Sequence, residues 1–124
     1  MCGIFGMIGN GAVDTTLTAL KYLEYRGYDS AGVAVKRNGQ IDVFKTEGRI
    51  GKLRELVPAG TTSDTVIGHT RWATHGAVCS ENAHPFYSPD KRFAVVHNGI
   101  IENYQSIKTD FTSRGAVFSS ATDS

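Results

Sequence analysis

Apolar positions along this chain follow two rhythms, and the change from one to the other predicts the elements. Ile4, Phe5, Met7 and Ile8 stand among Gly3, Gly6 and Gly9, a mixture that suits a buried strand lying close to other backbone. Asn10-Gly11 reads as a turn. The period then lengthens: Leu17, Leu20 and Leu23 share one helical face, with Asp14 or Thr15 as candidate N-cap and Gly27 as the stop. Ala31 to Lys36 and Ile41 to Lys45 are short β-rich runs on either side of Arg37-Asn38-Gly39-Gln40, and Asn-Gly there predicts a hairpin. Leu53, Leu56 and Val57 predict a short helix ended by Pro58.

Thr65 to His69 and Phe93 to His97 predict two further strands. The stretch between them is long, polar and aperiodic, and such a loop in a compact domain is usually functional or disordered. Tyr104, Ile107 and Phe111 sit at helical spacing before Gly115, and Val117-Phe118 suggests the start of another strand. Strands and helices alternate without a regular βαβ rhythm, which predicts an α+β fold. No terminating signal precedes Thr122-Asp123-Ser124, so residues 1–124 read as the N-terminal part of a longer domain.

Composition narrows the function classes. A chain of 124 residues has room for one domain with a real core. Its formal net charge of +1 gives no broad electrostatic case for nucleic acid or an acidic membrane surface. No apolar run approaches the ~20 residues that span a bilayer. Met-Cys-Gly-Ile-Phe-Gly has neither a basic start nor a long apolar segment, so cytoplasm is the default compartment. Two cysteines, Cys2 and Cys79, are too few for a disulfide scaffold or a Cys-rich zinc site. Four histidines (His69, His75, His84, His97) match no metal-ligand spacing, so no metal is expected. Gly48-Arg-Ile-Gly-Lys52 lacks the gap and the Ser/Thr of a phosphate loop and reads as a helix start. Cys79 reads as a bystander thiol.

Three places concentrate chemistry. Cys2 follows the initiator Met1; once Met1 is removed, one residue carries both a thiol and an α-amine. Such an amine titrates near pH ~8 and can serve as a general base at neutral pH. His97-Asn98-Gly99 closes an apolar strand, where an Asn amide and a Gly N–H side by side would suit an oxyanion; taken alone, these residues read more simply as a plain Asn-Gly turn. His69-Thr-Arg-Trp-Ala-Thr-His-Gly76 is the densest polar cluster, and the Arg71 fork matches a carboxylate bidentately.

Met1-Cys-Gly-Ile-Phe-Gly6, Leu23-Glu-Tyr-Arg-Gly-Tyr-Asp-Ser-Ala-Gly32, His69-Thr-Arg-Trp-Ala-Thr-His-Gly76, Asn82-Ala-His-Pro85 and Val96-His-Asn-Gly-Ile-Ile-Glu-Asn103 together resemble the class II glutamine amidotransferases. The second and third blocks point to the sugar-phosphate branch of that family. The resemblance implies an N-terminal nucleophile hydrolase fold, an αββα sandwich of two stacked antiparallel sheets between helix layers, incomplete in this chain. It implies Cys2 as nucleophile on the side-chain amide of glutamine, with Asn98 and Gly99 meeting the oxyanion. Arg71 would hold the substrate α-carboxylate, with Thr74, His75 and His84 nearby, and Asp123 the α-ammonium. Trp72 would sit on a closing loop, and Arg26 would support the nucleophile. Two opposite charges so placed select a free amino acid over a peptide-internal glutamine.

No cofactor, nucleic acid or membrane partner is implied. The family's sugar isomerase domains, through which the longer enzyme would form a homo-oligomer, are absent from these residues. Two other readings remain open at this level: a class II amidotransferase with a different ammonia acceptor, and an inactive domain that only binds glutamine.

Overall fold

The structure is a computed structural model and describes residues 1–74 and 76–124. Among the described residues the elements run β1 (Gly3–Ile8), α1 (Ala12–Leu23), β2 (Ser30–Arg37), β3 (Gln40–Glu47), α2 (Ile50–Leu56), β4 (Thr65–Arg71), β5 (Phe86–Tyr87), β6 (Ala94–Val95) and α3 (Tyr104–Ser113), with single 3-10 turns at Glu24–Arg26 and Ser80–Asn82. Mixed elements with antiparallel pairing bear out the α+β expectation.

Four strands form one antiparallel sheet in the order β1-β4-β2-β3. Late in sequence, β4 is central in space: Gly68 pairs with Phe5 on one side and Val33 on the other. The β2–β3 hairpin closes at Asn38 and Gly39, with φ of 50° and 77°, the two positive angles that a type I′ turn demands.

Side-chain alternation divides the sheet into two faces. On one, Val33, Val35 and Val66 pack with Leu17 and Leu20 of α1 and Ile50 and Leu53 of α2 in a single buried cluster, with Phe5 and Met7 leaning against it. On the other lie Gly32, His69 and Arg71. A Cβ at Gly32 would run into the His84 carbonyl and the Pro85 ring, so the absent side chain is what lets residues 83–86 lie directly on the sheet.

Several elements depart from expectation. As an edge strand, β1 is only half-buried: Ile4 is 43% and Ile8 83% exposed, because only its odd-numbered side chains face α1. Helix α1 starts before Asp14 and Thr15. Its cap is Gly11, in the left-handed conformation, and Thr15 N–H bonds to Gly11 O at 3.0 Å. Burial of Ala12 and Val13 draws the helix back to them, leaving Asp14 in the first turn, where a carboxylate suits the helix dipole.

Helix α2 has no cap of its own. Glu24, 6% exposed, supplies one from the 3-10 turn: its Oε2 accepts Ile50 N–H at 3.0 Å, and its Oε1 accepts Arg49 and Lys21 at 2.9 and 3.1 Å. Burial alone would raise this carboxyl, but the Ile50, Lys21 and Arg49 bonds outweigh it and hold the pKa below the usual range.

The second half is looser. Of the strand expected over Phe93 to His97, only Ala94–Val95 pairs, with Phe86–Tyr87. Val117-Phe118 forms no strand; no neighbouring strand bonds to its backbone. Helix α3 forms as expected, yet none of its residues is buried. No described helix is long and apolar enough to cross a membrane.

Candidate active site

The polar face of the sheet and the segments laid on it enclose a cleft of about 210 Å³, lined by Cys2, Arg71, Trp72, Thr74, His84, Asn98, Gly99 and Asp123 together with Met1 and Ser124. Hollows of about 330 and 310 Å³ along β3 are larger. Neither reaches Cys2, so volume does not mark the site.

Strand register explains why Cys2 and Arg71 meet. Gly3 pairs with Thr70, and one step further sets Cys2 opposite Arg71. Gly3 N–H also donates to the buried Thr70 hydroxyl at 3.1 Å, which fixes the chain entering β1. The Cys2 thiol lies against the Trp72 backbone: Trp72 N–H points at Sγ from 3.3 Å, and the Trp72 carbonyl is 3.7 Å away. The Cys2 carbonyl accepts Arg26 Nε–H at 3.2 Å and Asn98 Nδ2–H at 3.1 Å.

Asn98 is held from behind as well. Its Oδ1 lies 2.7 Å from His69 Nε2, and His69 is completely buried. Its neighbour Gly99 has φ +154°, an angle that a side chain would disfavour.

Two buried imidazoles stack beneath the cleft. His69 and His84 are 4.3 Å apart at 20°, and Phe86 closes on His84 at 4.5 Å. His84 Nδ1 accepts the His97 N–H at 3.3 Å, which only an unprotonated Nδ1 can do. Burial is the main cause that lowers the His69 pKa to about 4, despite the opposing bond to Asn98. Burial, then the proximity of His69 and Arg71, lowers that of His84 to about 3. Both rings are therefore neutral near pH 7.

Arg71 comes from the end of β4 and is 4% exposed. Its guanidinium donates to Ala77 O at 3.0 Å and reaches Gly76 O at 3.5 Å, so it shapes the loop as well as lining the cleft. Asp123 reaches the cleft from the last segment, its Oδ2 accepting Ile101 N–H at 2.7 Å. The Trp72 indole meets the Tyr28 ring edge-on at 5.4 Å. Thus the structure brings together Cys2, Arg26, Arg71, Trp72, Thr74, His84, Asn98, Gly99 and Asp123; His75 lies outside the described residues. No group of three or more His, Cys, Asp or Glu among the described residues could hold a metal ion.

Three residues at the site escaped the sequence reading. His69 grips Asn98. Asp29 pins the Trp72 loop by accepting Ala73 N–H at 2.8 Å. Asn82, 3% exposed, bonds Ala77 O at 3.1 Å and Ala121 N–H at 2.9 Å, tying the loop to the segment that carries Asp123. Only His69 had a signal: strand alternation puts it on the face of Arg71.

Comparison with known proteins agrees with this geometry. The family model for a glutamine amidotransferase domain matches residues 59–124. A glutamine–fructose-6-phosphate aminotransferase (isomerizing) of Bacteroides thetaiotaomicron is 52% identical over 99% of this chain and 20% of the relative. Its counterpart in Halalkalibacterium halodurans is 54% identical over 90% of this chain and 19% of the relative. The chain thus spans about a fifth of the length of these curated relatives. Among solved structures, the glutamine phosphoribosylpyrophosphate amidotransferase of B. subtilis superposes with a TM-score of 0.79 at 27% identity, over 95% of this chain and 26% of that one. That likeness extends to the sheet and helices described above, so the fold is an incomplete N-terminal nucleophile hydrolase α+β fold. With more than half of its residues matched by the family model and nearly all of them aligned to relatives of that kind, the chain belongs to the glutamine amidotransferase domain family.

Proposed function

We propose that this chain is the N-terminal part of a glutaminase domain that hydrolyses free glutamine to glutamate and ammonia. In the full-length protein the ammonia converts fructose 6-phosphate to glucosamine 6-phosphate for hexosamine synthesis. The observation that carries the reading is the convergence of the Cys2 thiol and the Asn98 amide in one cleft with the opposite charges of Arg71 and Asp123. Identity of 52% to an isomerizing fructose-6-phosphate aminotransferase, against 27% to the phosphoribosylpyrophosphate enzyme, favours the sugar phosphate as acceptor.

The chemistry follows from the atoms. With Met1 removed, the Cys2 α-amine takes the thiol proton, and Sγ attacks the substrate Cδ. The oxyanion forms beside Asn98 Nδ2–H and Gly99 N–H. The amine returns the proton to the leaving nitrogen, ammonia departs, and a glutamyl thioester remains. Water, deprotonated by the same amine, releases glutamate. Arg71 and Asp123 bind the α-carboxylate and α-ammonium, with Thr74, His75 and His84 alongside. Trp72 closes the cleft, and Arg26 steadies Cys2 through its carbonyl. The enzyme works in the cytoplasm, as a homo-oligomer assembled through the sugar isomerase domains.

The test is glutamate release from glutamine by the full-length gene product. Cys2→Ala is expected to abolish it; normal turnover in that variant overturns the reading.

A further inference from the structure

We infer that His69 is a positioning residue for the oxyanion donor: its Nε2–H fixes the rotation of the Asn98 carboxamide, so that one Nδ2–H is spent on the Cys2 carbonyl and the other is aimed at the reacting centre. The inference rests on the role proposed above for Asn98.

The bonds to Cys2 and Asn98 point to one assignment, and the buried Nδ1 makes no hydrogen bond that would call for a proton there. The Cys2 carbonyl only accepts, so the amide nitrogen of Asn98, 3.1 Å away, must face it. That orientation presents Oδ1 to His69 at 2.7 Å. An amide oxygen also only accepts, so the proton of a neutral His69 must sit on Nε2. Burial keeps the ring neutral, with its pKa near 4. The ring itself cannot swing, because it is 0% exposed and stacked on His84 at 4.3 Å. A carboxamide held at both ends loses no freedom when the oxyanion forms, which is what makes such a donor effective. Without the His69 bond, rotation about the terminal Asn98 torsion, which is soft, turns the donor away or presents Oδ1 to the oxyanion.

Two variants and one measurement on the unaltered protein test this. His69→Phe keeps a flat ring on His84 and removes the N–H. Its kcat for glutamine hydrolysis is expected to fall about 10- to 100-fold with KM nearly unchanged, short of the ~10²- to 10³-fold for removing an oxyanion donor outright. His69→Gln carries an N–H the same number of bonds from Cβ and should recover most of that loss. The pH profile of kcat should keep its shape in both, because His69 moves no proton. Undiminished kcat in His69→Phe overturns the inference. So does an equal loss in both variants accompanied by lowered melting temperature, which marks a merely structural role.

Nitrogen-15 chemical shifts of the wild-type ring decide the matter independently of folding in any variant. An Nε2-protonated, neutral tautomer between pH 5 and 8 is expected; an Nδ1-protonated one overturns the inference. The ring measurement needs no substrate. A wild-type protein with the expected tautomer but no glutaminase activity therefore defeats the functional proposal, whereas full activity with the other tautomer defeats only this one.

Discussion

Residues 1–71 and 72–124 fold by different means. Every residue of the main core cluster lies in the first region, where α1 and α2 cover one face of the four-stranded sheet. The second region contributes a two-residue hairpin pair and a helix with no buried residue. Among its described side chains, apolar exposure is the rule: Phe93, Ile100 and Val117 are 66%, 74% and 88% exposed. Apart from Ala83 and Pro85, which are buried, what fixes this region is polar: Asn98 on His69 and Cys2, Asn82 on residues 77 and 121, and Lys108 on Ser120 O at 2.9 Å. The cleft lies at the seam. Its guanidinium stands at the end of β4 and its nucleophile one residue before β1, while Asn98, Gly99 and Asp123 come from the region with little packing. A site divided in this way can keep its reactive thiol fixed while the substrate-facing half adjusts.

The sharpest test of that contrast is truncation on each side. Leu20, completely buried between α1 and the sheet, should cost about 2–5 kcal/mol when changed to Ala. Phe111 on α3, 49% exposed, should cost no more than about 0.5 kcal/mol. Urea unfolding midpoints of the two variants give the comparison. Equal losses would mean that α3 is packed as firmly as α1, and the contrast would collapse.

The same contrast explains what could be read in the sequence. Elements of the first region announce themselves because a packed sheet and its helices impose strict periods. Leu17, Leu20 and Leu23 repeat along α1, and Asn38-Gly39 supplies the pair of positive φ angles the hairpin needs. In the second region, Phe93–His97 and Val117-Phe118 have strand composition, but strands form where a partner backbone lies alongside, and here one is found only for Ala94 and Val95. The start of α1 was misplaced because Gly11 caps by backbone conformation rather than by a side-chain oxygen. At the site, Cys2, Arg71 and Asn98 were legible from position and local clustering. Asp29 and Asn82 were not, and for His69 only its sheet face was, because the partners Ala73, Ala121 and Asn98 lie 29 to 44 positions away. Such pairings are written in the topology, and no local pattern carries them.

Asn82 probes the polar half of the comparison. It is buried and bonds both Ala77 O and Ala121 N–H; Ala77 O keeps its Arg71 bond, so Asn82→Ala strands the Ala121 N–H at a cost of about 1–3 kcal/mol. The loss should be local. Amide hydrogen exchange is expected to speed up across residues 76–79 and 119–123 while β2 and β4 stay protected. KM for glutamine should rise more than kcat falls, since the segment carrying Asp123 is loosened and Cys2 is not. Uniform loss of protection through the sheet would show that the two regions unfold as one unit.

The most gradual effect expected is that of mild acid, and it sharpens the comparison because the stacked imidazoles bridge the seam. His69 belongs to β4, and His84 to the segment laid over it. The charges bearing on the pair are those of Arg71, His97 and Lys45, which oppose added positive charge, while the Asn98 amide and the His97 backbone favour it at His69 without offsetting burial. Folded, the two rings titrate near pH 4 and pH 3; unfolded, both titrate near pH ~6.5. Between those values the unfolded chain binds more protons, so stability is full above pH ~6.5 and declines as the pH falls towards the folded pKa values. For His69 the loss grows to about 1 kcal/mol per pH unit below pH ~6. His84 adds a loss of the same sign. Because charging either ring breaks the stack rather than the core, exchange at pH 5 should accelerate first in residues 83–87 and 94–98, with β2 and α1 following only later. Acid unfolding that began in β2 and α1 would place the weak point in the core and remove the distinction between the two regions.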